Sequence, residues 1–143
     1  MKMNSYEEGS STMKQVLQFL KEAQTFYVAT MDGDRPRVRP FGAICEFEGK
    51  LYISTGNQKK VFAQLQKNPK VEICAMVNGK WIRVEAEAIS DPRREARAAM
   101  LAEYDGVLTR MYSVDDGIFE VLYLQNATAT IASFTEAPVE IKF

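Results

Sequence analysis

Residues 51–62, LYISTGNQKKVF, contain the strand-to-helix transition that decides how this chain folds and what it binds. The first five residues predict a strand, and apolar residues at helical spacing follow Asn57, a plausible N-cap. Lys59 and Lys60 stand where the helix begins, although the positive end of a helix macrodipole disfavours cations by a few tenths to about 1 kcal/mol. Two cations there indicate a bound anion, most often a phosphate.

The residues just before the lysines fit the same interpretation. Ser54 and Thr55 supply hydroxyl groups, and Gly56 lets a ligand approach the backbone closely. The alternative is that Lys59 and Lys60 form an ordinary exposed helical face. The stretch therefore predicts a phosphate pocket, against a solvated surface as the second interpretation.

A second basic pattern lies on the preceding strand. Arg35, Arg37 and Arg39 are spaced by two, so their side chains share one face, while the prolines between them argue for an edge strand or a bulge. Alone, such a stripe is more often a charged edge that blocks aggregation. If this strand pairs with residues 50–55, arginine and lysine groups converge on one ligand.

The remaining pattern predicts one domain, residues 1–143, with a mainly β fold. A first helix is capped by Ser11 or Thr12 and ends near Ala23, a second follows Asn57, and a third runs from Asp91 to about Tyr104. Strands are predicted at residues 26–31, 35–47, 50–55, 70–77, 80–89, 118–124, 127–134 and 139–143, and Pro40 and Gly42 predict a bend or bulge within the second. Hairpin turns dominate, which favours a closed or nearly closed antiparallel barrel with helices outside.

Composition excludes several classes of protein. The chain has 18 basic and 19 acidic residues without a long run of one sign, so broad binding to nucleic acid or to an anionic membrane is not expected. No membrane-spanning or signal segment is recognisable, which predicts a cytoplasmic protein. Cys45 and Cys74 lie in apolar strand-like segments and are expected to be buried free thiols.

The chain contains no histidine. This excludes Ser-His-Asp and Cys-His nucleophilic catalysis, histidine metal sites and histidine-ligated haem. No other metal-ligand cluster stands out. If the protein is an enzyme, a cofactor is expected to carry the chemistry.

Trp81 is the only tryptophan and follows the Asn78-Gly79 hairpin signal. A tryptophan at the start of a strand most often packs in a core or an interface. Its flat indole also suits the edge of a conjugated ring, so both roles stay open.

Five segments in this order resemble the pyridoxamine 5'-phosphate oxidase-like FMN-binding split-barrel family, over roughly residues 12 to 135. They are residues 26–30, 35–41, 51–60, 68–71 and 81–87. The chain also resembles a short subgroup labelled nitroimidazole-resistance-like. It lacks the histidines associated with both named activities, so the resemblance implies the fold and the cofactor rather than either reaction.

The resemblance implies a six-stranded antiparallel split β-barrel with flanking helices, which dimerises and holds FMN between the subunits. The segment beside the flavin is matched by Arg37, Val38, Arg39 and Pro40. The ribityl phosphate would be held by Thr55, Lys59 and Lys60, beside the Ser54 hydroxyl already noted, and Trp81 occupies the strand that contacts the ring.

The sequence thus predicts a homodimeric FMN-dependent oxidoreductase acting on an unidentified small molecule. The catalytic residues are not identified by any pattern. Two alternatives remain: a flavin-binding or redox-sensing module without turnover, and a split barrel that uses the deazaflavin F420 or another phosphorylated ligand.

Overall fold

The computed structural model describes residues 5–143, with side chains from residue 12 onward. The described residues form three α-helices, a short 3-10 helix at Leu108–Arg110 and eight strands. The helices are α1 (Ser5–Ala23), α2 (Lys60–Lys67) and α3 (Arg94–Glu103). The strands are β1 (Phe26–Asp32), β2 (Arg35–Phe41), β3 (Ile44–Phe47), β4 (Lys50–Gly56), β5 (Lys70–Val77), β6 (Lys80–Asp91), β7 (Phe119–Ala132) and β8 (Val139–Lys142).

All strands pair antiparallel in one sheet, in the order β2-β1-β5-β6-β7-β4-β3, with β8 on β7. The two edges, β2 and β3, follow each other in the chain and are joined by Gly42 and Ala43. The sheet curls but does not close, which confirms a mainly β split barrel with flanking helices. It contains eight strands rather than the six that the resemblance implies; β3 and β8 have only four residues each.

The predicted hairpins are confirmed by the register. β1 and β2 pair from Asp32 with Arg35 onward, which leaves a two-residue turn. Asn78 and Gly79 have φ values of +49° and +79° between β5 and β6. Positive φ at both central residues is typical of a type I′ turn, which is why Asn-Gly is a strong hairpin signal.

Two apolar clusters stabilise the curved sheet. The larger one fills the inside of the curl with residues such as Val28, Ile53 and Ile82, and α1 and α2 close it with Leu20 and Leu65. The smaller cluster packs α3 against the outer side of β3, β4 and β7. The outer side of β2, β1, β5 and β6 carries no packed helix among the described elements.

Large apolar side chains are exposed on or beside this uncovered side. Val38 on β2, Met76 on β5 and Tyr27 on β1 occupy outward-facing positions of their strands, and Phe134 follows β7. The Phe134 side chain is 95% exposed although its ring lies 5.0 Å from the Trp81 ring, centroid to centroid. An apolar surface of this kind is characteristic of an interaction site.

Three local predictions were wrong, and a fourth was confirmed in part. Helix α1 begins at Ser5 rather than at Ser11 or Thr12. The predicted bend in residues 35–47 is present, but it is a full corner at Gly42 and Ala43 that divides the segment into two strands. Residues 118–134 form a single long strand, in which a bulge at Asn126 replaces the expected break. Cys45 is buried as predicted, but Cys74 is exposed because it lies on the uncovered side.

The candidate functional site

A cavity of about 310 Å³ lies where the β2–β3 corner, the end of β4, the start of α2 and the loop after α3 meet. Its wall at the corner is formed by Phe41, Gly42 and Ala43. The opposite wall is apolar and comes from the loop after α3. The lining residues there are Tyr104, Val107, Leu108, Met111 and Tyr112.

The fold brings five of the predicted site residues to this cavity: Arg39, Pro40, Ser54, Thr55 and Lys59. They come from three elements that are distant in sequence. The cavity therefore has two cationic side chains and two hydroxyls on one side and an apolar wall on the other. No carboxylate lines it within the described part of the chain.

Lys59 is the N-cap of α2, with extended backbone angles and no side-chain capping bond. The first turn of the helix contains no acidic residue. The orphan N–H groups of this turn and the helix dipole therefore favour an anion beside Lys59. The prediction that Asn57 caps the helix was wrong. Its amide instead donates to the Gly117 carbonyl at 2.8 Å and to the Glu120 carboxylate at 3.1 Å.

Arg39 is the partly buried member of the arginine stripe. Its guanidinium donates to the Val28 carbonyl at 3.1 Å, to Thr30 Oγ1 at 2.7 Å and to Gln64 Oε1 at 2.9 Å. Burial, and then the nearby charge of Arg37, lower the pKa of Arg39. Arginine nevertheless stays charged at neutral pH. The side chain is thus a fixed cation at the cavity.

The other predicted residues lie elsewhere in the single chain. Arg37 is half exposed and pairs with Asp32 at 3.2 Å, and Val38 is on the uncovered outer side. Lys60 lines a neighbouring groove of about 590 Å³. Trp81 lines a third groove on the uncovered side, beside Arg83 and other polar residues.

The expected convergence of β2 with residues 50–55 does not occur through strand pairing. β2 pairs with β1, whereas β3 pairs with β4. Arg39 still reaches the cavity because it stands near the end of β2, just before the corner. Arg37 lies further from that corner, so it does not line the cavity.

Two residues that sequence reasoning missed shape the site. The Tyr104 hydroxyl accepts from the Ile44 N–H at 3.0 Å and donates to the Ile44 carbonyl at 2.9 Å, which fixes the β2–β3 corner against α3. Gln64 is buried on α2 between Val61 and Leu65, which are also buried. A polar residue on the apolar face of a helix was the available signal, because such a group needs a buried partner.

The model of the pyridoxamine 5'-phosphate oxidase family matches residues 12–130. The chain belongs to this family. The match confirms the resemblance found in the sequence. The comparison with curated proteins finds no match.

Solved structures agree with the family. The chain is 46% identical to a NimC/NimA family protein from Clostridium acetobutylicum, covering 99% of this chain and 100% of that one, with a TM-score of 0.92. General Stress Protein 26 from Bacillus anthracis shares the fold at 16% identity and a TM-score of 0.73, covering 91% and 97% of the two chains. A heme binding protein from Mycobacterium smegmatis does so at 17% identity and a TM-score of 0.66, covering 99% and 60%.

Among the described residues, no helix is both long and apolar enough to cross a membrane.

Proposed function

We propose that the protein is a cytoplasmic, homodimeric FMN-dependent oxidoreductase that acts on a small molecule. The observation that carries this proposal is the placement of Lys59, Arg39 and Thr55 around one cavity at the start of α2. Two cations, a hydroxyl and a helix N-terminus suit a terminal phosphate. The family membership supports the same cofactor.

The chemistry of the lining fits a phosphorylated, ring-containing ligand. The cationic side would hold the phosphate, while the wall containing Leu108, Met111 and Tyr112 offers apolar contacts. The volume of about 310 Å³ lies at the lower end of ordinary ligand pockets, about 300–1,000 Å³. A second copy of the chain would extend the site.

FMN, when bound, supplies hydride transfer at its N5 atom. The protein would bind the phosphate through Lys59 and Arg39, with Ser54 and Thr55 as hydroxyl donors. β2 is an edge strand, and an edge leaves alternate backbone N–H groups without a partner strand. The two-residue turn and the register direct the N–H groups of Arg39 and Phe41 towards β1 and leave Pro36, Val38 and Pro40 at the outward positions, so within β2 the Val38 N–H would donate to the flavin ring.

The dimer is proposed from the uncovered outer side of β2, β1, β5 and β6. Val38 and Met76 are each about two-thirds exposed there, and burying them against a second copy would remove apolar surface from water. Because Trp81 lies outside the phosphate cavity of its own chain, it would reach a shared flavin from the partner. Light scattering should then give twice the monomer mass of 16.2 kDa.

The deciding experiment is titration of the purified protein with FMN and with riboflavin. We expect FMN to bind with a clear preference, because only FMN carries the phosphate; equal affinity would overturn the phosphate pocket. The absorption spectrum and mass of any released ligand distinguish FMN from F420 and from heme, for which the chain has no histidine ligand.

Turnover separates an oxidoreductase from a flavin-binding or redox-sensing module. Reduction of the bound flavin by NADH or NADPH, followed by reoxidation over many cycles, supports the enzyme. Tight FMN binding with neither reduction nor turnover with any donor supports the module instead.

A further inference from the structure

Arg39 is held differently from four other arginines of the chain. Each of those four pairs with a carboxylate: Arg37 with Asp32 at 3.2 Å, Arg83 with Glu72 at 2.8 Å, Arg93 with Asp91 at 2.9 Å and Arg94 with Asp115 at 3.1 Å. Within residues 12–143, Arg39 has no carboxylate partner, although it is more buried than any of the four. Its charge is therefore left uncompensated.

Neutral oxygens fix this guanidinium instead. They are the Val28 carbonyl, the Thr30 hydroxyl and the Gln64 side-chain carbonyl, all within 3.1 Å. The three bonds use three of the five guanidinium N–H donors, so two remain for a ligand.

Gln64 is central to this arrangement. Its Oε1 atom accepts from Thr30 Oγ1 at 2.6 Å as well as from Arg39, which uses both lone pairs of the amide oxygen. Thr30 is 2% exposed and Gln64 is 8% exposed. The bonds are thus shielded from water, and they join the C-terminal end of β2 to α2, whose N-cap is Lys59.

An amide oxygen orients a cation without cancelling its charge. A carboxylate in the same place would form an ion pair with Arg39 and weaken its attraction for any anion in the cavity. Gln64 does not line the cavity that contains Arg39 and Lys59. It would therefore act on the ligand only through Arg39.

We propose that Gln64 is a positioning residue that fixes the Arg39 guanidinium, with its charge uncompensated, as an anion-binding group of the cavity. This inference rests on the proposed function, in which the anion is the phosphate of FMN. It identifies Arg39, more than Arg37, as the arginine of the stripe that recognises the phosphate.

The test is Gln64→Glu, with Gln66→Glu as the matched control. Both variants add one negative charge to α2, but Gln66 is exposed and contacts Ser90 rather than Arg39. We expect Gln64→Glu to weaken FMN binding by about tenfold or more, the loss of one charge-assisted contact, and to leave riboflavin binding within about twofold. Gln66→Glu should leave both affinities unchanged.

The outcomes separate this inference from the proposed function. If the parent protein shows no preference for FMN over riboflavin, the proposed function fails first. If the parent prefers FMN and Gln64→Glu keeps that preference, or loses both ligands equally, the positioning role is overturned. A change of equal size in Gln66→Glu overturns it as well.

Gln64→Met provides a second measurement in case the glutamate variant does not fold. Methionine has a similar length and is apolar, so it removes the acceptor without adding a charge. We expect the ratio of FMN to riboflavin affinity to fall because Arg39 loses its fixed orientation. An unchanged ratio in a folded Gln64→Met protein contradicts the inference.

Discussion

Two arginine clusters of this protein use the same side chain in opposite ways. At the end of β6, Arg93 contacts Asp91 and Glu48, each at 2.9 Å, so its charge is compensated twice. At the end of β2, Arg39 is held only by neutral oxygens. The charge of Arg93 is compensated within the chain, whereas the oriented charge of Arg39 has no carboxylate partner among residues 12–143 and lies at a cavity.

The cluster at the end of β6, which consists of Asp91, Arg93, Glu48 and Tyr52, satisfies its charges with its own members. The Tyr52 hydroxyl donates to Asp91 Oδ2 at 2.7 Å, and both residues are buried. Hydrogen bonds from Arg93, and secondarily from Tyr52, lower the pKa of Asp91 to about 2. Burial, followed by the bond to Asp91, raises the pKa of Tyr52 to about 12. The carboxylate and the phenol therefore keep their charge states over the physiological range.

The largest expected effect comes from breaking the compensated cluster. Asp91→Ala removes the acceptor of the Tyr52 hydroxyl and the acceptor of the Arg93 backbone N–H, which lies at 3.0 Å. We expect a loss of about 3 kcal/mol in the free energy of unfolding, because each hydrogen bond to a charged group contributes about 1.5–3 kcal/mol. Urea unfolding measures the loss, and an unchanged ratio of FMN to riboflavin affinity is the control.

The pH dependence of Asp91→Asn tests whether the ionised carboxylate of Asp91 contributes to stability. The pKa of Asp91 is lowered from 3.8 to about 2 in the folded protein, so its contribution is complete above about pH 4 and is lost as the pH falls towards 2. The stability difference between the parent and Asp91→Asn should shrink over that interval. A difference that stays constant down to pH 2 contradicts the structural role of the carboxylate.

The next effect concerns the cationic side of the cavity. Lys59→Ala should weaken FMN binding by about 1.5–3 kcal/mol and leave riboflavin binding nearly unchanged, since it removes one charge-assisted contact. Lys60→Ala should have a smaller effect because Lys60 lines the neighbouring groove. Neither variant should lower the Tm of the ligand-free protein. If Lys60→Ala weakens FMN binding more than Lys59→Ala does, the phosphate binds in the neighbouring groove instead.

The smallest effect is expected at a compensated arginine on the surface. Arg94 pairs with Asp115 at 3.1 Å, and both side chains are more than half exposed. Surface ion pairs of this kind contribute little because solvent screens them. Arg94→Met should therefore leave the Tm and the FMN affinity within experimental error. A large loss of FMN affinity would show that a carboxylate partner does not distinguish structural arginines from a ligand-binding arginine.

Much of the fold could be predicted because its signals are local. The Asn78-Gly79 turn, the alternation in residues 70–77 and the prolines of β2 each act over a few residues. Pro40 and Gly42 also predict a bend before β3, but they do not predict the geometry of the corner at Gly42 and Ala43. Its geometry depends on Tyr104, which lies far along the chain and fixes the Ile44 backbone through its hydroxyl group.

The residues of the candidate site also differ in whether a local sequence pattern could predict them. Lys59 and Thr55 were found because a helix N-terminus has a recognisable sequence pattern. Arg39 was found only as one of three equivalent arginines, because the choice among them depends on pairing partners in β1 and on Gln64 in α2. The role of the loop after α3 was missed, since apolar residues there have no periodic pattern and gain meaning only from the cavity that they line.

The pairing of β4 with β7 has a consequence for the order in which the protein is made. β4 ends with Ser54, Thr55 and Gly56, and its hydrogen-bonded neighbour Phe119–Val121 is translated only after β5, β6 and α3. Contacts so distant in sequence form late, because closing a long loop costs entropy before any contact repays it. In a nascent chain that ends before β7, β4 therefore lacks one of its two partner strands, and the end of β4 that lines the cavity is not yet supported.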